Sequence, residues 1–273
     1  MLVLSRISRI ADKLISTNEN RRASILDTIP YIKDLSHLEG AVDLYGNPFY
    51  FDMFKCRYAT VTWLIQTIAK QDYYLLNNIE DSSPVILDVG AHIGTFSRHV
   101  LGKKPNATVY AFEPDTDSFS ILEKNLSRFE KGVAIHKGVL DKKGSLDFYK
   151  PFAGQGWCGM PATGKQFLEM KESEGDSFSV RHKTELIDID SFCDENNIKK
   201  VSLIKIHVGG KTEHRIMLGA EKTINKYSPQ MGIEAFPENM LVIHKFLTDK
   251  GYKEMPNLDK GDPPFLRLYI PQK

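Results

Sequence analysis

The stretch Val85-Ile86-Leu87-Asp88-Val89-Gly90-Ala91-His92-Ile93-Gly94-Thr95-Phe96-Ser97 decides the fold. Its first five residues are apolar apart from Asp88 and read as a buried strand; a turn with two glycines follows, then an amphipathic run from about Thr95 to Leu101. A strand that passes through a glycine turn into a helix brings backbone N–H groups close to a ligand and aims a helix N-terminus at it. The spacing is D-x-G-x-x-x-G, whereas the dinucleotide fingerprint is G-x-G-x-x-G. The middle glycine of that fingerprint admits a pyrophosphate, and Ala91-His92 stands in its place. A ligand with an amino-acid tail fits this turn better than a diphosphate does, which disfavours a nicotinamide dehydrogenase.

Downstream, short β-branched runs alternate with helical patterns. The runs are Val85 to Val89, Thr108 to Glu113, Val133 to Val139, Val201 to Val208, Met231 to Phe236 and Leu266 to Ile270. Crossover helices are predicted over Thr95 to Leu101 and Ser118 to Phe129. Such alternation is the mark of βαβ units, so the predicted class is α/β with a doubly wound, mostly parallel sheet. A short strand is predicted over Ser145 to Tyr149. Residues 151–183 are rich in Gly, Lys, Glu and Ser with weak periodicity and are expected to form a lid or acceptor-binding loop.

The second chemical signal is Tyr110-Ala111-Phe112-Glu113-Pro114-Asp115. Glu113 ends the second strand nineteen residues after Gly94, where an acid can accept hydrogen bonds from both hydroxyls of a ribose. The other reading of Glu113 is a helix cap beside Pro114.

Residues 1–82 form a separate front piece, expected to be helical with one small hairpin in which Val42 to Tyr45 and Pro48 to Asp52 flank Gly46-Asn47. Its opening segment, MLVLSRISRIADKLI, spaces Leu4, Ile7, Ile10 and Leu14 as an amphipathic helix with Arg6, Arg9 and Lys13 between them. That helix either caps the domain or touches a membrane surface weakly. The basic residues interrupt any secretory core, and no apolar run approaches the roughly 20 residues of a spanning helix. Residues 83–273 make the main domain.

With 36 basic and 35 acidic residues the net charge is +1, which excludes a chain that coats nucleic acid or an anionic membrane by bulk charge. Hydrophobic content of 41% with 26% charged residues excludes disorder and coiled coil. Cys56, Cys158 and Cys193 are odd in number and far apart, so neither a disulfide framework nor a zinc site is expected, and a cytoplasmic setting is.

Residues from about 84 to 255 resemble the FkbM family of S-adenosylmethionine-dependent methyltransferases, a class I, Rossmann-like group. The matching stretches are ILDVGAHIGTFS, VYAFEPD, KNL with KGVLDKKGSLDFY, TELIDIDSFCDENNIKKVSLIKI, the GA before Glu221, and GIEAFPE. The resemblance implies that Asp88, Gly90, His92 and Gly94 cradle the methionine part of S-adenosylmethionine, that Glu113 binds its ribose, and that Val139, with Gly138 and Asp141 beside it, lies by the adenine. It further implies an O-methyltransferase acting on a hydroxylated small molecule or glycan, with no nucleic-acid partner; neither a basic stripe nor an N/D-P-P-Y/F tetrapeptide is present.

The resemblance breaks after Leu203-Ile204-Lys205-Ile206. The family continues D-V-E-G, but here the chain reads His207-Val208-Gly209-Gly210, so two carboxylates are replaced and donor binding is implied more firmly than catalysis. A protein that binds the donor without chemistry is the alternative. His207 falls at the carboxyl end of a central strand, where open α/β sheets bind ligands, and an imidazole is a suitable base at neutral pH. A core histidine and a metal ligand are its other readings. Glu234, ending its strand at the same edge, either orients the acceptor or makes a salt bridge. Lys205 shares a side of its strand with His207 and is either catalytic or the partner of a carboxylate. His92 either helps to hold a ligand or makes a loop hydrogen bond. Trp157, in Gly154-Gln155-Gly156-Trp157-Cys158-Gly159, either stacks on a sugar or packs within its loop.

Overall fold

The structure is a computed structural model that describes residues 32–34, 39–44, 47–52, 74, 76–151, 178–208, 212–256 and 266–272. The predicted opening helix and the Trp157 loop lie outside the described residues. So do Gly209 and Gly210.

Seven strands form the main sheet: β4 (Val85–Val89), β5 (Thr108–Phe112), β6 (Gly132–Ile135), β10 (Leu203–Ile206), β11 (Gln230–Glu234), β12 (Tyr252–Glu254) and β13 (Leu266–Pro271). Their order across the sheet is β12-β13-β11-β10-β4-β5-β6. The pairs β4 with β5, β5 with β6, β10 with β4, and β10 with β11 are parallel; β13 alone runs antiparallel, to β11 on one side and β12 on the other. The chain winds outward from β4 to β6, then restarts at β10 on β4's other flank. The junction between β4 and β10 is therefore the switch point, and ligands bind beyond the carboxyl ends of strands at such a point.

Alternate residues feed two cores. Leu87, Val89, Ile204 and Ile206 pack with Phe192, Ile216, Ile224 and Ile243, from α3 (Ile189–Glu195), α4 (Glu213–Leu218), α5 (Glu221–Tyr227) and α6 (Pro237–Thr248). Ile86, Val109 and Leu203 face the other way onto Phe96, Val100 and Leu122, from α1 (Thr95–Lys103) and α2 (Thr116–Leu126). Burying each such side chain contributes about 1.5–3 kcal/mol, so the period-2 pattern alone fixes which face each helix covers. Two helix starts carry side-chain caps: Asp115 accepts from the Ser118 amide at 3.0 Å, and Asp188 from the Ser191 amide at 2.7 Å.

Several boundaries differ from the sequence expectation. The single strand predicted over Val133 to Val139 divides: β6 stops at Ile135, and β7 (Gly138–Val139) leaves the main sheet to pair with β9 (Phe178–Ile187). Gly138 permits the departure, since a Cβ there would lie 2.7 Å from Leu186 Cδ2. The part of the expected loop from 178 to 183 is strand, because β9 pairs antiparallel along the length of β8 (Gly144–Pro151). The strand predicted over Val201 to Val208 is trimmed to Leu203–Ile206, which places His207 just past it.

At the front, β1 (Ile32–Asp34), β2 (Glu39–Leu44) and β3 (Asn47–Asp52) form a three-stranded antiparallel sheet, and Leu76–Asn78 form one turn of 3-10 helix; the rest of the helix expected in the front piece falls on residues outside those described. Leu44 faces Asn47 in its register, which puts Asn47 in the strand and not in the turn assigned to Gly46-Asn47.

Candidate active site

The glycine turn after β4 is shaped by handedness and by close approach. Gly90, His92 and Gly94 have φ of 75°, 54° and 88°, so three residues of this turn sit in the left-handed region that glycine adopts most easily. Gly90 has a second reason to lack a side chain: a Cβ would lie 2.0 Å from the carbonyl oxygen of His207. The loops following β4 and β10 thus touch at the switch point, and the His207 amide donates to the Val89 carbonyl at 3.0 Å. Three turn amides expected to face a ligand are instead committed to β5. Gly90 and Ala91 N–H both donate to the Phe112 carbonyl, at 3.0 and 2.9 Å, and His92 N–H donates to Glu113 Oε2 at 2.7 Å.

Asp88 lies beneath this turn and is fully buried. Its Oδ2 accepts from Ser97 Oγ at 2.6 Å and its Oδ1 from Lys205 Nζ at 2.8 Å. The same ammonium donates to the Gly90 carbonyl at 2.7 Å. Asp88, Lys205 and Ser97 therefore form one buried ionic brace spanning β4, β10 and α1. An ion pair at this depth keeps its charges only because each is hydrogen-bonded on several sides.

Glu113 closes the far side of the turn. Its two oxygens accept from the amides of His92 and, at 2.9 Å, Asp115. A carboxylate oxygen has two acceptor positions, so a lone pair on each remains for a ligand hydroxyl. Burial pushes this carboxyl up to about 7, with His92 and the two amides pulling part of the way back.

At the β10 and β11 ends, His207 Nδ1 lies 3.2 Å from Glu234 Oε2, with the side chains 34% and 17% exposed. Loss of hydration, foremost, and the charges of Lys205 and His92 push the imidazole down, to about 3. The Glu234 carboxylate favours the imidazolium but does not outweigh the lost hydration, and the ring is neutral at physiological pH. In that state the tautomer protonated at Nδ1 turns its N–H towards the Glu234 carboxylate 3.2 Å away, and the Nε2 lone pair has no hydrogen-bond partner among the described residues.

Val139 is buried in the core, and Asp141 just beyond it pairs with Arg215 of α4 at 2.6 Å. Burial pushes the Asp141 carboxyl up, but the Arg215 guanidinium outweighs it and holds the group below its usual value. Neither Arg215 nor Glu213 stood out in the sequence. Glu213 is 1% exposed, its carboxyl is raised by burial, and its Oε2 accepts from Asn239 Nδ2 at 2.8 Å. It bridges the same two connections, β10 to α4 and β11 to α6, that His207 and Glu234 bridge. Among the described residues no group of three or more His, Cys, Asp or Glu is placed to hold a metal ion.

Residues 88–254, more than half of the sequence, match the methyltransferase FkbM domain. The chain belongs to the FkbM methyltransferase family. It is 25% identical over 156 residues to the 2-O-methyltransferase NoeI of Sinorhizobium fredii, covering 56% of this chain and 63% of NoeI. It is 25% identical over 204 residues to Methyltransferase 1 of Beauveria bassiana, covering 68% of this chain and 78% of that protein. Among solved structures, TYW2 of M. jannaschii in complex with AdoMet aligns at 11% identity and a TM-score of 0.42, covering 87% of this chain and 85% of that one. The family's cofactor is S-adenosylmethionine. The FkbM domain here fits that group: the acid that follows β5, Glu113, is buried and keeps an acceptor position on each oxygen beside its one amide partner. No helix among the described residues is long and apolar enough to cross a membrane.

Proposed function

We propose that this methyltransferase acts on a hydroxyl of a sugar, glycolipid, polysaccharide or related natural product, with His207 as general base. S-adenosylmethionine supplies a methyl group made electrophilic by its sulfonium. The Gly90–Gly94 turn with His92, Glu113 at the ribose, and Val139 near the adenine would hold it. Asp88 and Lys205 act from below, by fixing the turn rather than by touching the reacting atoms.

The observation that carries this reading is the His207–Glu234 contact at the switch point. A neutral imidazole anchored through Nδ1 presents Nε2 as a proton acceptor, and the Glu234 carboxylate stabilises the imidazolium formed when a hydroxyl gives up its proton. Positioning of the acceptor oxygen supplies the rest, since holding two reactants in line removes much of the entropic barrier. The pair offers an alternative to the carboxylates of the family pattern. The 2-O-methyltransferase activity in NoeI's name supports the choice of oxygen as acceptor atom.

The test is transfer of radiolabelled methyl groups to glycan and lipid extracts by the wild type, His207→Gln and Glu234→Gln, beside calorimetric titration with S-adenosylhomocysteine. Loss of transfer in His207→Gln with product binding retained is expected. Full turnover in that variant would refute the base assignment, and product binding without transfer to any extract by the wild type would favour a binding protein instead.

A further inference from the structure

The front sheet and the donor turn meet at one side chain. Asn125, on α2 and 1% exposed, accepts at Oδ1 from the Tyr50 amide at 2.6 Å and donates from Nδ2 to the Tyr50 carbonyl at 2.9 Å. Its carboxamide thereby satisfies both backbone groups on the outer edge of β3, as a neighbouring strand would. Nδ2 also donates at 2.7 Å to the carbonyl of Ile93, within the glycine turn. The Asn125 main-chain carbonyl is held in turn by Arg98 of α1 at 3.0 Å. One face of α2 thus supports the turn twice over, because a Cβ at Gly94 would lie 2.8 Å from Leu122 Cδ1.

We propose that Asn125 is a positioning residue for the methyl donor, and that β3 belongs functionally to the donor site by locking Asn125 in the orientation that holds the Ile93 carbonyl. The argument rests on the donor reading of the glycine turn. A primary amide has two N–H donors and one oxygen. With the oxygen and one donor fixed by Tyr50, the remaining donor has one direction left, and Ile93 lies in it. Ile93 sits between two left-handed residues, His92 and Gly94. The peptide joining Ile93 to Gly94 is held at its amide end by the Gly94 N–H, which donates to the Ala91 carbonyl at 2.9 Å, and at its carbonyl end by Asn125; loosening one of the two holds leaves more of the turn to be ordered by its ligand, which weakens binding.

Calorimetry with S-adenosylhomocysteine on the full chain tests this. Asn125→Asp keeps the acceptor for the Tyr50 amide but loses both donors, and Asn125→Ala loses all three bonds. Tyr50→Pro removes the amide from the hairpin side without altering the donor site, a change an edge strand tolerates. Lys124→Met, which removes the ammonium 4.0 Å above the Tyr50 ring, is the control. We expect both Asn125 variants to bind about tenfold more weakly, the scale of a buried hydrogen bond. Tyr50→Pro should weaken binding in the same direction, with faster amide exchange across residues 90–97, while Lys124→Met binds as the wild type. A lower melting temperature with unchanged affinity in Asn125→Asp and Tyr50→Pro would overturn the proposal and leave Asn125 a structural residue. Should the Asn125 variants fail to fold, Tyr50→Pro decides alone. If the wild type itself failed to bind, the donor reading would fall, a distinct result from equal binding by wild type and variants.

Discussion

Replacing Gly90 by alanine tests the contact between the two loops of the switch point. The added Cβ would lie 2.0 Å from the His207 carbonyl oxygen, where an ordinary carbon–oxygen contact is about 3.3 Å, so the loops must part by about 1.3 Å. Parting them strains the bond from the His207 amide to Val89 and the bond from Lys205 to the Gly90 carbonyl. Those are worth about 1 kcal/mol and about 1.5–3 kcal/mol. Holding alanine at φ 75° adds about 1–2 kcal/mol. The expected loss is about 4–6 kcal/mol, a large share of the 5–15 kcal/mol by which domains are stable. At about 2–4 °C per kcal/mol for a chain of this size, the melting temperature should fall by roughly 10–20 °C. Differential scanning calorimetry reads that fall, and any folded fraction should bind S-adenosylhomocysteine poorly because the turn has moved. A melting temperature within about 2 °C of wild type with full affinity would refute the close approach and the link from turn to base.

Asp88→Asn should cost about 3–5 kcal/mol in chemical denaturation, because it leaves the Lys205 ammonium buried without its counter-charge; a loss under about 1 kcal/mol would show the brace to be unimportant. Glu113 should give kcat/KM for the donor an acid limb near pH 7, since protonation removes an acceptor from the carboxyl; a profile flat from pH 6 to 8 would oppose its ribose role. The same group predicts a stability trend. Its folded value, about 7, lies above that of the unfolded chain, so the fold binds more protons between roughly pH 4.5 and 7 and this contribution is lost as pH rises through 7. The pH dependence of melting should therefore flatten in Glu113→Gln, and an unchanged slope counts against the shift. The acid limb of kcat, set by His207, should lie below pH 6.5, as its depressed imidazole requires.

The glycine-turn side of the candidate site was legible because its signals are local. Strand, glycine turn, helix and second strand succeed one another in the chain, and Gly90, Gly94 and Glu113 take their places from that succession. What braces the turn and what faces it depend on pairings across long separations. Lys205 finds Asp88 117 residues away, and the two readings open for Lys205 could not be separated until that partner was in view. Asn125 reaches Tyr50 across 75 residues, and the KNL stretch in which it stands implied no role for it. Strand β9 was missed for a different reason. Ser179, Arg181, Lys183 and Glu185 alternate with Phe178, Val180, Thr184 and Leu186, a period-2 pattern outweighed by the polar composition of the residues before it. His207 was placed at the correct edge of the sheet, but the sequence could not show that Glu234 would anchor its ring.

The reversed strand β13 has a consequence for biosynthesis. A ribosome delivers β10 and β11 before β12, and β12 before β13, yet β13 must enter between β11 and β12. Until residues 266–271 have emerged, the nascent sheet carries two raw edges, one of them the strand that ends in Glu234, paired in the finished fold with Leu266. Such edges recruit other chains. Truncation ahead of Leu266 should therefore appear first as aggregation during synthesis, before any catalytic defect could be measured.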